Sequence, residues 1–320
     1  DIIDSIRDDL LNAPVYLDEV FKNANDRLKQ TFIKLYQDKG NVVTEENGYP
    51  VYHVGSIKRI IRGGTTASVV IILDNNFLIT ANVGDSSILL YGENVATITE
   101  TGITSTFELE EVTDNYAIMS PGHSPDDISE YKRIKKYGEE NGIEKQISNI
   151  FDGVPVGVAE GRPCFEENEY GLTKNKEGFY HKNVREEFAC LIKDSETGSM
   201  LAMTRAIGDF SLQAKGLSYH PDVAVYNLTK IRETIPSVRL MICSDGIWDC
   251  WKYEEIYTFF KTLVNKSKIN KIDYNIDDNV QGNSAEMIGS AERFMVRNKS
   301  KASQLFGPTA DNMAVIICDL

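Results

Sequence analysis

The sequence predicts an α+β fold whose strands run antiparallel. Residues 67–73, 77–83 and 87–91 are apolar runs rich in β-branched side chains, broken at Asp74-Asn75-Asn76 and Gly84-Asp85, with 95–99 closing the series after Gly92-Glu93-Asn94. Strands joined by turns this short are antiparallel neighbours. Apolar residues at steps of three and four mark amphipathic helices near the start, middle and end of the chain. Two more strand-like apolar runs, 240–243 and 313–320, stand far from the first group.

In chain order, Leu17, Val20, Phe21, Ala24, Leu28, Thr31, Phe32 and Leu35 form one helical face, with Asn12 and Pro14 placed for its cap and first turn. Residues 40–62 are polar and turn-rich, with Asn47-Gly48 and Tyr49-Pro50 as breakers, and read as a long excursion or a small hairpin. Pro125-Asp126-Asp127 leads a helix with Ile128, Tyr131 and Ile134 on one face, ending between Gly138 and Gly142. Residues 142–198 show poor periodicity and read as a surface insertion within one domain spanning 1–320. A strand follows at 223–228, and then the run 240–243 with a helix carrying Ile256, Phe259, Phe260 and Leu263. Residues 265–282 read as a Lys/Asn/Asp loop. Asn283 with Glu286 forms a capping box for a helix that buries Met287, Ile288, Ala291, Phe294 and Met295.

Composition narrows the function. Apolar residues make up 42% of the 320 and charged residues 26%, enough for a real core. The net charge of −14 repels nucleic acid and anionic lipid, which excludes both as partners, and it favours divalent cations and basic peptide segments. No apolar run reaches the ~18 residues of a membrane span. Cys164, Cys190, Cys243, Cys250 and Cys318 are scattered and odd in number, without metal or disulfide spacing. This points to a reducing, intracellular and cytoplasmic setting. Cys243 and Cys250 read as small hydrophobes, and the histidines at 53, 123, 181 and 220 share no motif spacing.

The stretch Leu240-Met241-Ile242-Cys243-Ser244-Asp245-Gly246-Ile247-Trp248-Asp249 places two carboxylates just past a buried strand. Acids at a strand end stand on the rim of a sheet, where a hard cation collects oxygen ligands; the same residues can equally cap the turn and the helix after it. Asp311 stands just before the last apolar run. Antiparallel strands bring the start of one beside the end of the next, so Asp245, Asp249 and Asp311 could share one rim. Geometry decides between ligand and cap.

Six segments then resemble, in order, the type 2C metal-dependent protein serine/threonine phosphatases. They are Gly64-Thr65-Thr66-Ala67; Ala81-Asn82-Val83-Gly84-Asp85-Ser86; His123-Ser124-Pro125 with Arg133-Ile134; Leu201-Ala202-Met203-Thr204-Arg205-Ala206-Ile207-Gly208-Asp209; Ser244-Asp245-Gly246-Ile247-Trp248-Asp249; and Asp311-Asn312-Met313. The resemblance implies an αββα sandwich, two antiparallel sheets flanked by helices, with a Mg²⁺ or Mn²⁺ pair in a cleft at one end. It implies hydrolysis of phosphoserine and phosphothreonine in phosphoprotein substrates by direct attack of a metal-activated water, in a monomer. By motif, Asp245 and Asp311 would be ligands of the metal pair, and Asp249 a ligand of a weak accessory third ion. Gly84-Asp85-Ser86, Gly208-Asp209 and His123 read as structural.

Three features depart from the family pattern. The upstream metal-binding acid and the Asp-Gly-His-Gly-Gly stretch, which carries a bridging Asp and a general-acid His, do not occur in the chain. They are expected before Asp1, so the domain is read as incomplete at its N-terminus and no catalytic residue is assigned. Gly122 stands where the family has an acid of the third-metal site, and 142–198 is longer than the usual connection. The alternative to an enzyme is a catalytically inactive pseudophosphatase that serves as a protein-binding scaffold.

Overall fold

The computed structural model describes residues 2–153, 161–169, 171–267 and 290–320. At its centre two four-stranded antiparallel sheets lie face to face. The first orders Ala67–Leu73, Phe77–Val83, Asp222–Asn227 and Gly102–Ser105; the second orders Val315–Asp319, Arg239–Cys243, Ser87–Tyr91 and Tyr116–Ile118. Period-2 alternation builds the layers. Leu78, Ile88, Leu90, Ala117, Ala224, Tyr226 and Leu240 point between the sheets and share one buried cluster. Their neighbours Ile79, Ala81, Val83, Val223 and Val225 point the other way, onto Leu17 and Phe21 of the helix Ala13–Asp38. On the opposite side Leu89, Tyr91, Met241 and Cys243 pack against Ile256, Phe260 and Phe294 of the helices Tyr253–Ser267 and Ser290–Phe306. Three apolar layers stacked in this way make the αββα sandwich.

The long helix Ala13–Asp38 carries Pro14 in its first turn as expected, and Asn12 stands at its N-cap without a side-chain cap bond. Ile128–Glu140 is capped by Asp127, whose side chain accepts the N–H groups of Ser129 and Glu130. Tyr131 and Ile134 of that helix turn inward, and Ile128 stays exposed. Residues 40–62 form a small three-stranded antiparallel sheet, Val42–Glu46, Tyr49–Val54 and Ile57–Ile60, against the long helix.

Two expectations are corrected. Residues 95–99 are not a strand but part of the 3₁₀ helix Val95–Glu100. Asn94 takes a left-handed φ of 61°, and Val95 and Ile98, three apart, are both fully buried; that spacing eclipses on a 3₁₀ turn and suits no strand. The runs 77–83 and 87–91 are not paired neighbours either. The intervening turn carries the chain from one sheet to the other, with Gly84 at φ +102° and Thr66 so close that a Cβ on Gly84 would collide with it.

The segment read as an insertion has its own order where it is described. Ser148–Phe151 pairs with Cys190–Lys193, which pairs with Met200–Leu201, and Phe165–Asn168 forms a hairpin with Gly171–Lys174. Phe151, Cys164, Phe165 and Cys190 form a buried cluster there, packed against Tyr131. The short helices Ile2–Asp8, Phe210–Gln213 and Leu228–Thr234 had no clear periodic signal. Residues 265–267 of the expected loop continue the helix Tyr253–Ser267, a correction, and the rest of that loop with Asn283, Glu286, Met287 and Ile288 lies outside the described residues. All five cysteines are free, four of them buried.

Candidate functional site

Strand register assembles a rim of acids at one end of the second sheet. Cys243 stands opposite Val315 on one side and Ser87 on the other. Continuing each pairing past the strand ends brings the turn at Asp245 beside the segment after Asp311 and beside Asp85. Ser244 N–H donates to the Ala314 carbonyl at 3.1 Å, and Ala314 N–H returns a bond to Ser244 Oγ at 3.1 Å. Gly246 is needed at this junction, because a Cβ there would lie inside van der Waals contact of the Asn312 carbonyl oxygen. The short helix Asp245–Trp248 then brings Asp249 round one turn later.

The electrostatics follow from this crowding. Burial pushes Asp245 up, and the charge of Asp311 adds to it. Burial likewise pushes Asp249 up to about 6, with Asp245 adding and Lys182 opposing. Asp85 rises to about 6 through burial and then through Asp245, with Asp249 a smaller contribution. Asp245 Oδ1 accepts Gly246 N–H at 2.8 Å and Asp311 Oδ1 accepts Asn312 N–H at 2.6 Å.

The donor set is therefore all carboxylate oxygen, with Asp85, Asp245 and Asp249 half-buried and Asp311 exposed, which is the chemistry of a hard divalent cation. Among the described residues no three His, Cys, Asp or Glu side chains close into a ready ligand cage. A Mg²⁺-type ion does not need one, since it keeps several waters and takes one or two protein carboxylates. On that ground the rim fits such an ion.

Asp85 joins this rim although its turn motif reads as structural; the only signal in the sequence is that its strand starts where the 240–243 strand ends. His123 is buried and bonded to the Gly84 N–H and to Asp222. Gly122 lies in open space, with nothing within 4 Å of a Cβ built there. Asp209 sits away from the rim, with its N–H bonded to the Gly63 carbonyl at 2.8 Å. A second group unforeseen from sequence is the hairpin around 181–188, which docks on the Asp245–Trp251 turn. Val184 N–H donates to the Asp249 carbonyl at 3.2 Å, and Arg185 donates to the carbonyls of Trp248 and Trp251 while lying 4.8 Å over the Tyr253 ring.

Comparison with known proteins identifies the family to which this sandwich of two antiparallel sheets belongs. The protein phosphatase 2C family model matches residues 18–284, and the chain belongs to that family. Two curated relatives are similar over a shorter stretch. Protein phosphatase 2C homolog 2 of Hypocrea jecorina is 33% identical over 98 residues, 28% of this chain and 21% of that protein. Its namesake in Aspergillus fumigatus is 32% identical over 98 residues, 28% of this chain and 22% of that protein. The matches thus span about a fifth of those relatives' length. Among solved structures, the serine-threonine phosphatase 2C from Toxoplasma gondii aligns over 98% of this chain and 69% of its own, with a TM-score of 0.51 at 14% identity, a likeness of fold. Among the described residues no helix is long and apolar enough to cross a membrane.

Proposed function

We propose that the protein is a metal-dependent phosphoprotein phosphatase that hydrolyses phosphoserine and phosphothreonine by direct attack of water. The observation that carries the reading is the meeting of Asp85, Asp245, Asp249 and Asp311 at neighbouring strand ends in a member of this family. Asp245 and Asp311 would hold a Mg²⁺ or Mn²⁺ pair, with Asp249 and Asp85 beside them. Such ions would neutralise the acids, polarise the phosphoryl oxygens and acidify the attacking water.

The chain's own residues do the positioning. Ser244 ties the two acid-bearing segments together, and Gly246 lets them approach. Burial makes the carboxylates of Asp85, Asp245 and Asp249 poor hosts for their own negative charge, which favours a dication beside them. The domain is proposed to act as a monomer on phosphoproteins, with the 142–198 element on the rim of the sandwich.

Asp245→Asn and Asp311→Asn test this. Each removes a charged oxygen at constant shape, so turnover of p-nitrophenyl phosphate by the full-length protein should fall at least about a hundredfold while the melting temperature holds. Turnover within a few-fold of wild type in both variants would overturn the assignment.

A further inference from the structure

Asp249 is the C-cap of a helix only four residues long, Asp245–Trp248. So short a helix is marginal by itself, and two braces hold the turn it forms. One comes from the helix Ser290–Phe306, where Asn298 donates from Nδ2 to the Gly246 carbonyl at 3.4 Å and accepts Trp251 Nε1 at 2.7 Å. The other comes from the 142–198 insertion. Val184 N–H donates to the Asp249 carbonyl at 3.2 Å, and Arg185 Nη1 donates to the carbonyls of Trp248 and, at 3.2 Å, of Trp251.

The second brace is built in advance of the contact it makes. The Arg185 side chain is 14% exposed, and Glu187 aligns its guanidinium through Nε at 3.0 Å and Nη2 at 3.1 Å, which leaves Nη1 for the carbonyls. Asn183 sets the turn beneath it. Its Oδ1 accepts the N–H groups of Arg185 at 3.0 Å and Glu187 at 3.3 Å, and its Nδ2 donates to Glu187 at 2.7 Å. Glu186 N–H closes the turn on the Asn183 carbonyl at 3.2 Å, with a φ of +63° that is costly for a residue other than glycine. Such strain persists only where the surrounding bonds over-determine it.

Two peptide planes meet at the Asp249 Cα, and both are bonded to this hairpin, one through the Trp248 carbonyl and the other through the carbonyl of Asp249 itself. A residue has only two soft backbone dihedrals, so fixing both planes fixes the direction of its Cα–Cβ bond. We infer that Arg185 and Val184 are positioning residues for the Asp249 carboxylate, the insertion setting part of the ion site's geometry through backbone bonds without touching the ion. The inference rests on the phosphatase reading and deepens it by giving the insertion a place in the frame of the acid rim.

The test is calorimetric Mn²⁺ titration of the full-length protein with Arg185→Met, Val184→Pro, Asp249→Asn and the Arg185→Met/Asp249→Asn double variant. Val184→Pro deletes one N–H at the second position of a turn, where proline is readily accepted. The sign of the effect is diagnostic. Removing a guanidinium from beside the acids would tighten Mn²⁺ binding by Coulomb's law alone, whereas losing a positioning bond weakens it. Affinity should fall about tenfold in Asp249→Asn and about five- to tenfold in each of Arg185→Met and Val184→Pro. The double variant should bind no more weakly than Asp249→Asn, because Arg185 acts through that carboxylate. A lower melting temperature with Mn²⁺ affinity unchanged in Arg185→Met, or a loss that adds to that of Asp249→Asn, overturns the inference. So does an Asp249→Asn variant that binds as the wild type does. If Arg185→Met does not fold, Val184→Pro decides: weaker binding sustains the inference and equal affinity removes it. A wild type that binds no Mn²⁺ overturns the metal-dependent reading and the inference with it, whereas a wild type that binds no better than Arg185→Met removes the inference alone.

Discussion

The imidazole of His123 accepts the backbone N–H of Gly84 at Nδ1, 2.9 Å away, and so pins the corner where the chain passes from one sheet to the other. With Nδ1 the acceptor, the proton sits on Nε2, which donates to Asp222 Oδ2 at 3.0 Å. Burial holds the imidazole pKa below its ordinary value, against the opposing pull of Asp222. The ring is therefore neutral in the native state.

A pH dependence follows. The unfolded histidine takes up a proton near pH 6.5 and the folded one only below that, so the unfolded state binds more protons through this window. Stability should fall as pH drops from about 6.5 toward the folded pKa, and be insensitive to this group above it. His123→Ala should cost about 1–3 kcal/mol at pH 7.5 by leaving the Gly84 N–H unpaired in the interior. Urea denaturation from pH 5.5 to 8 checks both; a slope unchanged by the substitution would remove His123 as its source.

The second prediction concerns Glu130. Its carboxylate, 3% exposed, accepts from Arg133 Nη2 at 2.8 Å, Arg205 Nη2 at 2.7 Å and Thr204 Oγ1 at 2.6 Å. Burial alone would raise its pKa, but the two guanidinium groups hold it far below the carboxylate range. Its contribution is present above the unfolded pKa and is lost only as pH falls through the depressed folded value. Glu130→Ala should destabilise by about 3–5 kcal/mol, because two arginines lose their counter-charge. A loss under about 1 kcal/mol in urea unfolding would show that Asp222 and solvent compensate.

These networks explain what could be read from the chain alone. The strands at 67–73, 77–83 and 87–91 were legible because β-branched alternation is a local property. The nearness of Asp245 and Asp311 was legible because both flank apolar strands and antiparallel pairing has few alternatives. Which sheet each strand joins was not, because a single positive-φ corner at Gly84 redirects the chain, and nothing in a Gly-Asp-Ser turn distinguishes a hairpin from a crossing. Asp85 was read as a turn residue for the same reason. The hairpin that carries Lys182 was hidden altogether. What holds it are Arg185 bonds to carbonyls more than sixty residues away, which leave no periodic trace.

A third prediction tests Gly122. A Cβ there meets nothing within 4 Å, so an aspartate can be placed without repacking. If the third-ion site implied by the family pattern is latent in this chain, Gly122→Asp should tighten Mn²⁺ binding beside Asp249 by about tenfold, the size of one added charged oxygen ligand. Calorimetric titration of wild type and variant decides it. An unchanged affinity would place Gly122 outside the ion's reach.

The last prediction is Gly246→Ala. A methyl group cannot be accepted without moving the Asn312 carbonyl, which is backbone and has little room to give. The same backbone carries Asp311, and it is tied to Ser244 through Ala314 in both directions. The strain therefore opens the gap between the two acid-bearing segments rather than relaxing into a side chain. Overpacking of this kind costs about 1–3 kcal/mol. Its sharper consequence is that Asp245 and Asp311 separate, so Mn²⁺ affinity should fall about tenfold or more, while Ser87–Tyr91 and its pairing with Arg239–Cys243 stay intact. Hydrogen exchange localises the effect. New exchange confined to residues 244–247 and 311–315, together with weakened Mn²⁺ binding, is the expected result. Loss of stability with Mn²⁺ affinity unchanged would mean that the approach of these two segments does not set the ion site.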